Sequence, residues 1–198
     1  MDFEYQKRIV EALIFASDIP IAESKIANYI EGLSTKQVIK IVEELNQEYL
    51  KNHRAFYITK VAGGFQFNSR KDFAPWIKKL FKGRAKPKLS QAALESLAII
   101  AFKQPISRVE VDSIRGVHSV GVIKNLLERN LISIAGRADT VGKPLLYSTT
   151  GEFLRYFGIN DISELPKPKE IEEIMGKLDG TGEASEKIIE ALANQNSL

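Results

Sequence analysis

The stretch "KQPISRVEV" at residues 103–111 has a counterpart near the start of the chain, "DIPIAESKI" at residues 18–26. At an offset of 85 the pairs are Pro20 with Pro105, Ile21 with Ile106, and Ile26 with Val111. Farther on, "VIKIVEELN" at 38–46 matches "VIKNLLERN" at 122–130 at an offset of 84. Two matches in the same order predict a duplicated unit of about 85 residues. Chance similarity between short amphipathic helices is the alternative, because helical periodicity produces such matches.

The first copy is typical of three helices followed by a β-hairpin. Ser34 and Gln37 form a capping-box pattern that predicts the start of the third helix. That helix has one apolar stripe, formed by Val38, Ile41, Val42, Leu45 and Tyr49. The segment "FYITKVAGGFQFN" then alternates apolar and polar residues, and Gly63-Gly64 is expected to supply the positive φ angles of a tight turn.

The second copy predicts the same elements in the same order. Ser90 is expected to cap its first helix, and Ser107 with Glu110 forms a capping box for its second. The segment "LISIAGRADTVGKPLLYST" at 131–149 predicts a hairpin with a longer loop. Thr149 and Glu152 are expected to cap a last helix, "EFLRYFGI".

Three helices and a hairpin are the winged-helix arrangement, a variant of helix-turn-helix. The predicted fold is therefore mainly α with small β-hairpins (α+β), in two tandem winged-helix domains. We expect an N-terminal winged helix at 1–70, a basic linker with a short helix at 71–88 and a C-terminal winged helix at 89–160. An acidic segment at 161–198, expected to be flexible, follows.

Composition narrows the class of protein. The chain has 198 residues, 44% of them hydrophobic, and no cysteine, which excludes disulfides and thiolate chemistry and fits a reducing cytoplasm. No apolar stretch is long enough to span a bilayer, and the N-terminus has no apolar signal core, so we expect neither export nor membrane association. The net charge of +3 does not by itself imply nucleic acid.

No motif for catalysis stands out, and we expect no enzymatic activity, metal or cofactor. "GRADTVGKP" at 136–144 resembles a phosphate-binding loop, but five residues separate Gly136 from Gly142 where that loop has four. Pro144 stands where a magnesium-binding Ser or Thr belongs, and a strand is expected to follow. His53 and His118 fall in different copies, with no spacing that predicts a pair.

A DNA-binding regulator is the alternative function. The third helix of each copy carries few groups able to read base edges, so sequence-specific recognition is weakly supported. Weak, non-specific contact with DNA phosphates through the basic linker is more credible, because it needs only positive charge. The residues that could make this contact are Lys78, Lys79, Lys82, Arg84, Lys86 and Lys88.

Four segments carry a resemblance to a known family: "EALIFAS", "AGGFQF", "LSQAALESLAIIAFKQPISRVEVDSIRGV" and "NLLERNLISIAGRADTVGKPLLYSTTGEFLRYFGI". Together they resemble the bacterial segregation and condensation protein B family, ScpB, from about Ile9 to about Pro166. The resemblance implies two winged-helix domains and no catalysis. It implies a homodimer that binds the kleisin subunit (segregation and condensation protein A) and, through it, an SMC ATPase. Such condensin-like complexes act in chromosome condensation and partition during cell division, in the cytoplasm at the nucleoid.

The resemblance also carries candidate contact residues. The family motif falls on Pro105, Gly116, Gly142 and Pro144, expected to be structural, and on candidates for partner binding: Lys103, Gln104, Arg108, Arg115, Arg137 and Tyr147. Arg108 and Arg115 are two helical turns apart and therefore lie on one face. They face either carboxylates of an acidic partner or, within the chain, Glu110, Asp112 or Glu152. The family implies dimerisation through the first copy, where Phe3 and Tyr5 are candidate contacts ahead of helix one.

Overall fold

The computed structural model describes residues 2–81 and 88–165. It divides into two compact units, Met1–Lys86 (unit 1) and Pro87–Leu198 (unit 2). Three of the candidate DNA contacts, Lys82, Arg84 and Lys86, lie outside the described residues, as does most of the acidic segment. No helix in the described part of the chain is long and apolar enough to cross a membrane.

Unit 1 consists of three helices and a hairpin, followed by a short helix. Its elements are α1 (Phe3–Ala16), α2 (Glu23–Tyr29), α3 (Thr35–Lys51), β1 (Phe56–Val61), β2 (Gly64–Ser69), a 3-10 turn (Lys71–Phe73) and α4 (Ala74–Leu80). The strands pair antiparallel, and Ile21 adds an isolated bridge to Phe65. The core contains the predicted stripe of α3 together with residues of α1, α2 and the hairpin.

Unit 2 repeats this order, and the isolated bridge of unit 1 is replaced by a two-residue strand, β3. Its elements are α5 (Gln91–Lys103), β3 (Ile106–Ser107), α6 (Arg108–Arg115), α7 (Val120–Glu128), β4 (Ile132–Arg137), β5 (Leu145–Thr149), α8 (Gly151–Phe157) and a 3-10 turn (Ile162–Glu164). The sheet order is β3-β5-β4, and both pairings are antiparallel. Ile106 of β3 holds the position that Ile21 holds in unit 1. The two tandem winged helices predicted from the repeat are confirmed by this order of elements.

The predicted helix caps are largely confirmed. Gln37 donates its backbone N–H to Ser34 Oγ at 3.3 Å, and Ser34 returns its own N–H to Gln37 Oε1 at 2.8 Å. Ser107 and Glu110 form the same reciprocal pair at the start of α6, and Ser90 caps α5. Gly116 ends α6 with φ 72°, a left-handed conformation that glycine adopts without strain.

Three local expectations were wrong by one or a few residues. The turn of the first hairpin is formed by Ala62 and Gly63, with φ 50° and 73°, because Val61 pairs directly with Gly64. Thr150, not Thr149, caps α8 and accepts from the Phe153 N–H, because Thr149 is held in β5 opposite Ile132. Helix α1 begins at Phe3, so Phe3 and Tyr5 lie within it rather than ahead of it.

Candidate protein-interaction site

Arg115 lies at the C-terminal end of α6 and joins three helices of unit 2. Its side chain is only 8% exposed, and its Nη2 lies 3.2 Å from Glu95 Oε2 on α5. Its Nη1 donates to Ser119 Oγ at 3.2 Å, directly before α7. Sequence reasoning named other carboxylates as intramolecular partners and missed Glu95, because the contact joins residues 20 positions apart. Arg115 therefore fixes α6 against α5 and the start of α7.

Arg108 and Asp112 form an ion pair on the exposed side of α6. Arg108 Nη1 lies 2.9 Å from Asp112 Oδ2, and the Arg108 side chain is 42% exposed. Asp112 Oδ1 accepts the Ser119 N–H at 2.7 Å, and His118 Nδ1 lies 3.5 Å from Oδ2. Burial alone would raise the pKa of Asp112, but the hydrogen bonds from Ser119 and His118 and the charge of Arg108 hold that pKa below its usual range. The two arginines thus share a helix but differ in access: one is half-exposed, and the other is enclosed.

The other residues of the motif fall into two groups. Gln104 Oε1 accepts from the Thr149 N–H at 2.6 Å, and Tyr147 is buried in β5 opposite Ile106 and Ile134. These contacts hold α5 and the sheet together. Lys103 is exposed at the end of α5, and exposed Arg137 donates from Nη1 to the Lys143 carbonyl at 3.0 Å across the wing.

Four apolar side chains lie exposed on α6, the following turn and the start of α7. Val109, Ile114, Val117 and Val120 are each more than half exposed. A helix that enters a DNA groove presents polar groups that reach base edges, whereas this part of unit 2 presents aliphatic groups. The sequence indicated few base-reading groups on the third helix of each copy, but it did not predict an apolar surface. These four apolar residues are visible in the sequence, but they lie outside the buried positions Val111, Ile123 and Leu126.

An aromatic groove runs along α1 and the hairpin of unit 1, with a volume of about 540 Å³. Phe15 is 79% exposed and meets the Phe67 ring edge-on at 6.0 Å between centroids. Phe56 lies 5.5 Å from Phe67 and 5.1 Å from Tyr49, which places the three rings in one cluster. The groove is lined by Arg8, Glu11, Ala12, Phe15, Phe56, Phe67, Asn68 and Ser69. The sequence did not predict this groove, because helical periodicity does not show that Phe15 of α1 remains uncovered.

The polar rim of this groove is tied to α3. Tyr49 Oη donates to Glu11 Oε1 at 2.5 Å, and Lys7, buried on α1, pairs with Glu48. Burial, followed by the hydrogen bond to Glu11, raises the pKa of Tyr49 well above its usual range. The hydrogen bond with Glu48 raises the pKa of Lys7. The candidate dimer contacts Phe3 and Tyr5 are 37% and 55% exposed on the same helix.

The chain is similar to one protein family and to several of its known members. The family model "Segregation and condensation complex subunit ScpB" matches residues 8–168. Segregation and condensation protein B of Syntrophotalea carbinolica is 41% identical over 174 residues, 88% of this chain and 87% of the relative. ScpB from Mycobacterium tuberculosis, known from a crystal structure, is 31% identical over 80% of this chain and 98% of its own, with a TM-score of 0.39.

A further crystal structure is that of a dimer of ScpB N-terminal domain complexed with ScpA peptide. It is 34% identical, covers 39% of this chain and 96% of its own, and has a TM-score of 0.36. The family model spans well over half of the chain, and the curated relative is alike over almost nine-tenths of it. The chain therefore belongs to the ScpB family of segregation and condensation complex subunits.

Proposed function

We propose that this chain is a non-catalytic, homodimeric adaptor of a condensin-like SMC–kleisin complex. It binds the kleisin subunit and acts in chromosome condensation and partition, in the cytoplasm at the nucleoid. Membership of a family of complex subunits supports this, because a subunit needs surfaces for its partners. The observation that carries the proposal is the pair of exposed apolar surfaces, one on each unit. Exposed apolar surface of this kind marks protein contacts in soluble proteins.

The proposal includes four segments of the chain and two groups of site residues. The division near residue 86 supports two domains at 1–70 and 89–160, with a linker at 71–88 and a tail at 161–198. In unit 2 Lys103, Arg108 and Arg137 remain candidate contacts, because their side chains are accessible. Gln104, Arg115 and Tyr147 act as positioning residues, because each is held by contacts within the unit.

Kleisin binding is assigned to the exposed apolar residues of unit 2. Val117→Asp should weaken co-purification of the full chain with the kleisin of the same genome by about tenfold or more, as expected for a central contact. Val141→Asp, at a fully exposed position on the wing, is the matched control and should bind as the wild type does. Equal binding by both variants would remove this surface from the proposal, and absence of wild-type binding would overturn the adaptor function.

Dimerisation is assigned to the exposed residues of α1, which are Phe3 and Tyr5 in its first turn and Phe15 in the aromatic groove. Analytical ultracentrifugation of the full chain should show a dimer in the micromolar range, and Phe15→Asp should shift it to a monomer. Tyr29→Asp, at an exposed aromatic of α2, is the control and should remain dimeric. A wild-type chain that stays monomeric throughout this range would contradict the assignment.

The alternative, a winged-helix transcriptional regulator, has less support from the helices that would read DNA. Lys40 of α3 lies 3.8 Å from Glu44, and Lys124 of α7 lies 3.8 Å from Glu128. Carboxylates beside these lysines oppose the approach of phosphates and bases. Nanomolar, sequence-dependent DNA binding at physiological salt would favour the regulator over the adaptor.

A further inference from the structure

Two segments of unit 1 bring basic side chains together at the open end of the hairpin. The chain leaves α3 at Lys51, reverses at His53 with φ 52°, and the Arg54 N–H bonds back to the Tyr49 carbonyl at 2.8 Å. Where the second strand of the hairpin ends, the Arg70 N–H donates to the Ala55 carbonyl at 2.9 Å. Residues 54 and 55 therefore lie beside residue 70, and Lys51 and Lys71 flank this contact along the chain.

The Arg70 side chain joins the two segments by a hydrogen bond. Arg70 Nε donates to the Arg54 carbonyl at 2.9 Å, and its guanidinium lies 6.0 Å from the centroid of the Tyr57 ring. The ring contact and the hydrogen bond restrict the Arg70 side chain. Lys51, Arg54 and Lys71 are exposed, and Lys51 and Lys71 lie three residues and one residue along the chain from the joined pair Arg54 and Arg70. We call these four residues, Lys51, Arg54, Arg70 and Lys71, the hairpin-mouth cluster.

The hairpin-mouth cluster gathers four cations without acidic partners in the described part of the chain, unlike the paired lysines elsewhere in unit 1. Lys7, Lys40 and Lys60 each pair with a glutamate. None of the four cluster residues has a carboxylate within 4 Å among residues 2–81 and 88–165. Asp72 is the acidic neighbour in sequence, and Glu48 is engaged by Lys7. The C-terminal dipole of α3 supplies only about half a negative charge, so most of the cluster's charge is unbalanced.

We propose that the hairpin-mouth cluster is a docking surface for the phosphate backbone of duplex DNA. DNA presents closely spaced phosphates, and exposed lysines and arginines bind them by releasing counterions, without reading sequence. The position fits this mode, because the cluster lies at the C-terminal end of α3, away from the N-terminal turn that a reading helix inserts into the groove. Exposed Lys78 and Lys79 on α4 continue the basic run along the chain.

The test is fluorescence anisotropy of the full chain with labelled duplexes of unrelated sequence, between about 50 and 200 mM salt. The wild type should bind these duplexes equally, with affinity falling steeply as salt rises. Lys51→Glu combined with Lys71→Glu should weaken binding about tenfold or more and reduce the slope of log K against log salt by about 2. Neither lysine side chain makes a hydrogen bond or ion pair within the described residues, so circular dichroism should show an unchanged fold.

The matched control is Lys25→Glu combined with Lys36→Glu, two exposed positions of the same unit. It changes the net charge by the same amount and should retain most of the affinity and the slope. An equal loss in the control would overturn the proposal in favour of a net-charge effect. No effect of either variant would place DNA contact elsewhere in the chain. Failure to bind duplexes, together with tight binding of a polyglutamate peptide, would replace DNA by an acidic protein partner. None of these results depends on kleisin binding or dimerisation.

Discussion

Gly64 lies where the hairpin of unit 1 meets the chain between α1 and α2. Ile21 and Phe65 exchange backbone hydrogen bonds of 3.0 and 2.9 Å, which draws the two segments together. A Cβ on Gly64 would lie 2.7 Å from the Pro20 carbonyl carbon and 2.8 Å from backbone atoms of Ile21. Backbone atoms cannot swing aside as a side-chain end can, so the bridge itself would have to shift.

Gly64→Ala should therefore lower the free energy of unfolding by about 2–3 kcal/mol, as overpacking does. The neighbouring glycine separates this effect from backbone strain, because Gly63 has φ 73° and open space around its Cβ position. Gly63→Ala should lower the free energy of unfolding by about 1–2 kcal/mol, from the left-handed conformation alone. Urea unfolding followed by circular dichroism measures both variants. A larger loss for Gly63→Ala would contradict the packing argument.

Arg115 offers a second test at the scale of single residues. Its Nε has no hydrogen-bond partner among the described residues, and its Nη2 and Nη1 donate to Glu95 and Ser119. Glu95→Gln should lower the free energy of unfolding by about 1–2 kcal/mol, because it removes the carboxylate from a buried cation. Glu128→Gln breaks an exposed pair with Lys124 and should change the free energy of unfolding by less than about 0.5 kcal/mol. Thermal unfolding compares them, and equal effects would mean that Arg115 is better solvated than its burial indicates.

At the scale of elements, both units use a serine capping box, but the serine is exposed in unit 1 and buried in unit 2. Ser34 caps α3 at the surface, whereas Ser107 caps α6 while 3% exposed and also pairs with Leu146 in the sheet. The hydrogen bonds from the Ser107 side chain and backbone hold the pKa of Glu110 below its usual range. A buried capping hydroxyl cannot be replaced by water, whereas an exposed one can.

Ser107→Ala should accordingly lower the free energy of unfolding by about 1–2 kcal/mol, and Ser34→Ala by about 0.5–1 kcal/mol. Both variants remove a serine hydroxyl from a capping box, and the two boxes differ in burial and in the N3 residue, which is Gln37 in α3 and Glu110 in α6. Chemical denaturation of the full chain gives both values. If Ser34→Ala were the more damaging change, the depth of the cap would not decide its contribution.

Local patterns predicted most elements, and long-range contacts account for the misses. The caps at Ser34, Ser90 and Ser107 follow from residues three positions apart, which the sequence displays directly. The turn at Ala62-Gly63 was misplaced by one residue because the bridge from Ile21 to Phe65 sets the register. The burial of Arg115 depends on Glu95 of another helix, and no local pattern reports that contact.

At the scale of the whole molecule, the two units have separate cores and different groups with shifted pKa values. In unit 1 the pKa values of Tyr49 and Lys7 are raised, the first by burial of the phenol and the second by the hydrogen bond that the Lys7 ammonium donates to Glu48. In unit 2 hydrogen bonds lower the pKa values of the carboxyl groups of Glu110 and Asp112, which can affect stability only at acid pH. Alkaline pH is therefore expected to act first on unit 1.

Raising the pH from about 9 to 11 should lower the stability of unit 1, because the unfolded chain loses the Tyr49 proton near pH 10 while the folded chain keeps it. The contribution is complete below pH 10, and the loss reaches at most about 1.4 kcal/mol per pH unit for one proton. Lys7 acts in the same direction. Urea unfolding at several pH values should give Tyr49→Phe a shallower alkaline slope than the wild type. Tyr29→Phe, at an exposed tyrosine, should keep the wild-type slope, and a wild-type slope in Tyr49→Phe would show that another group governs the alkaline loss.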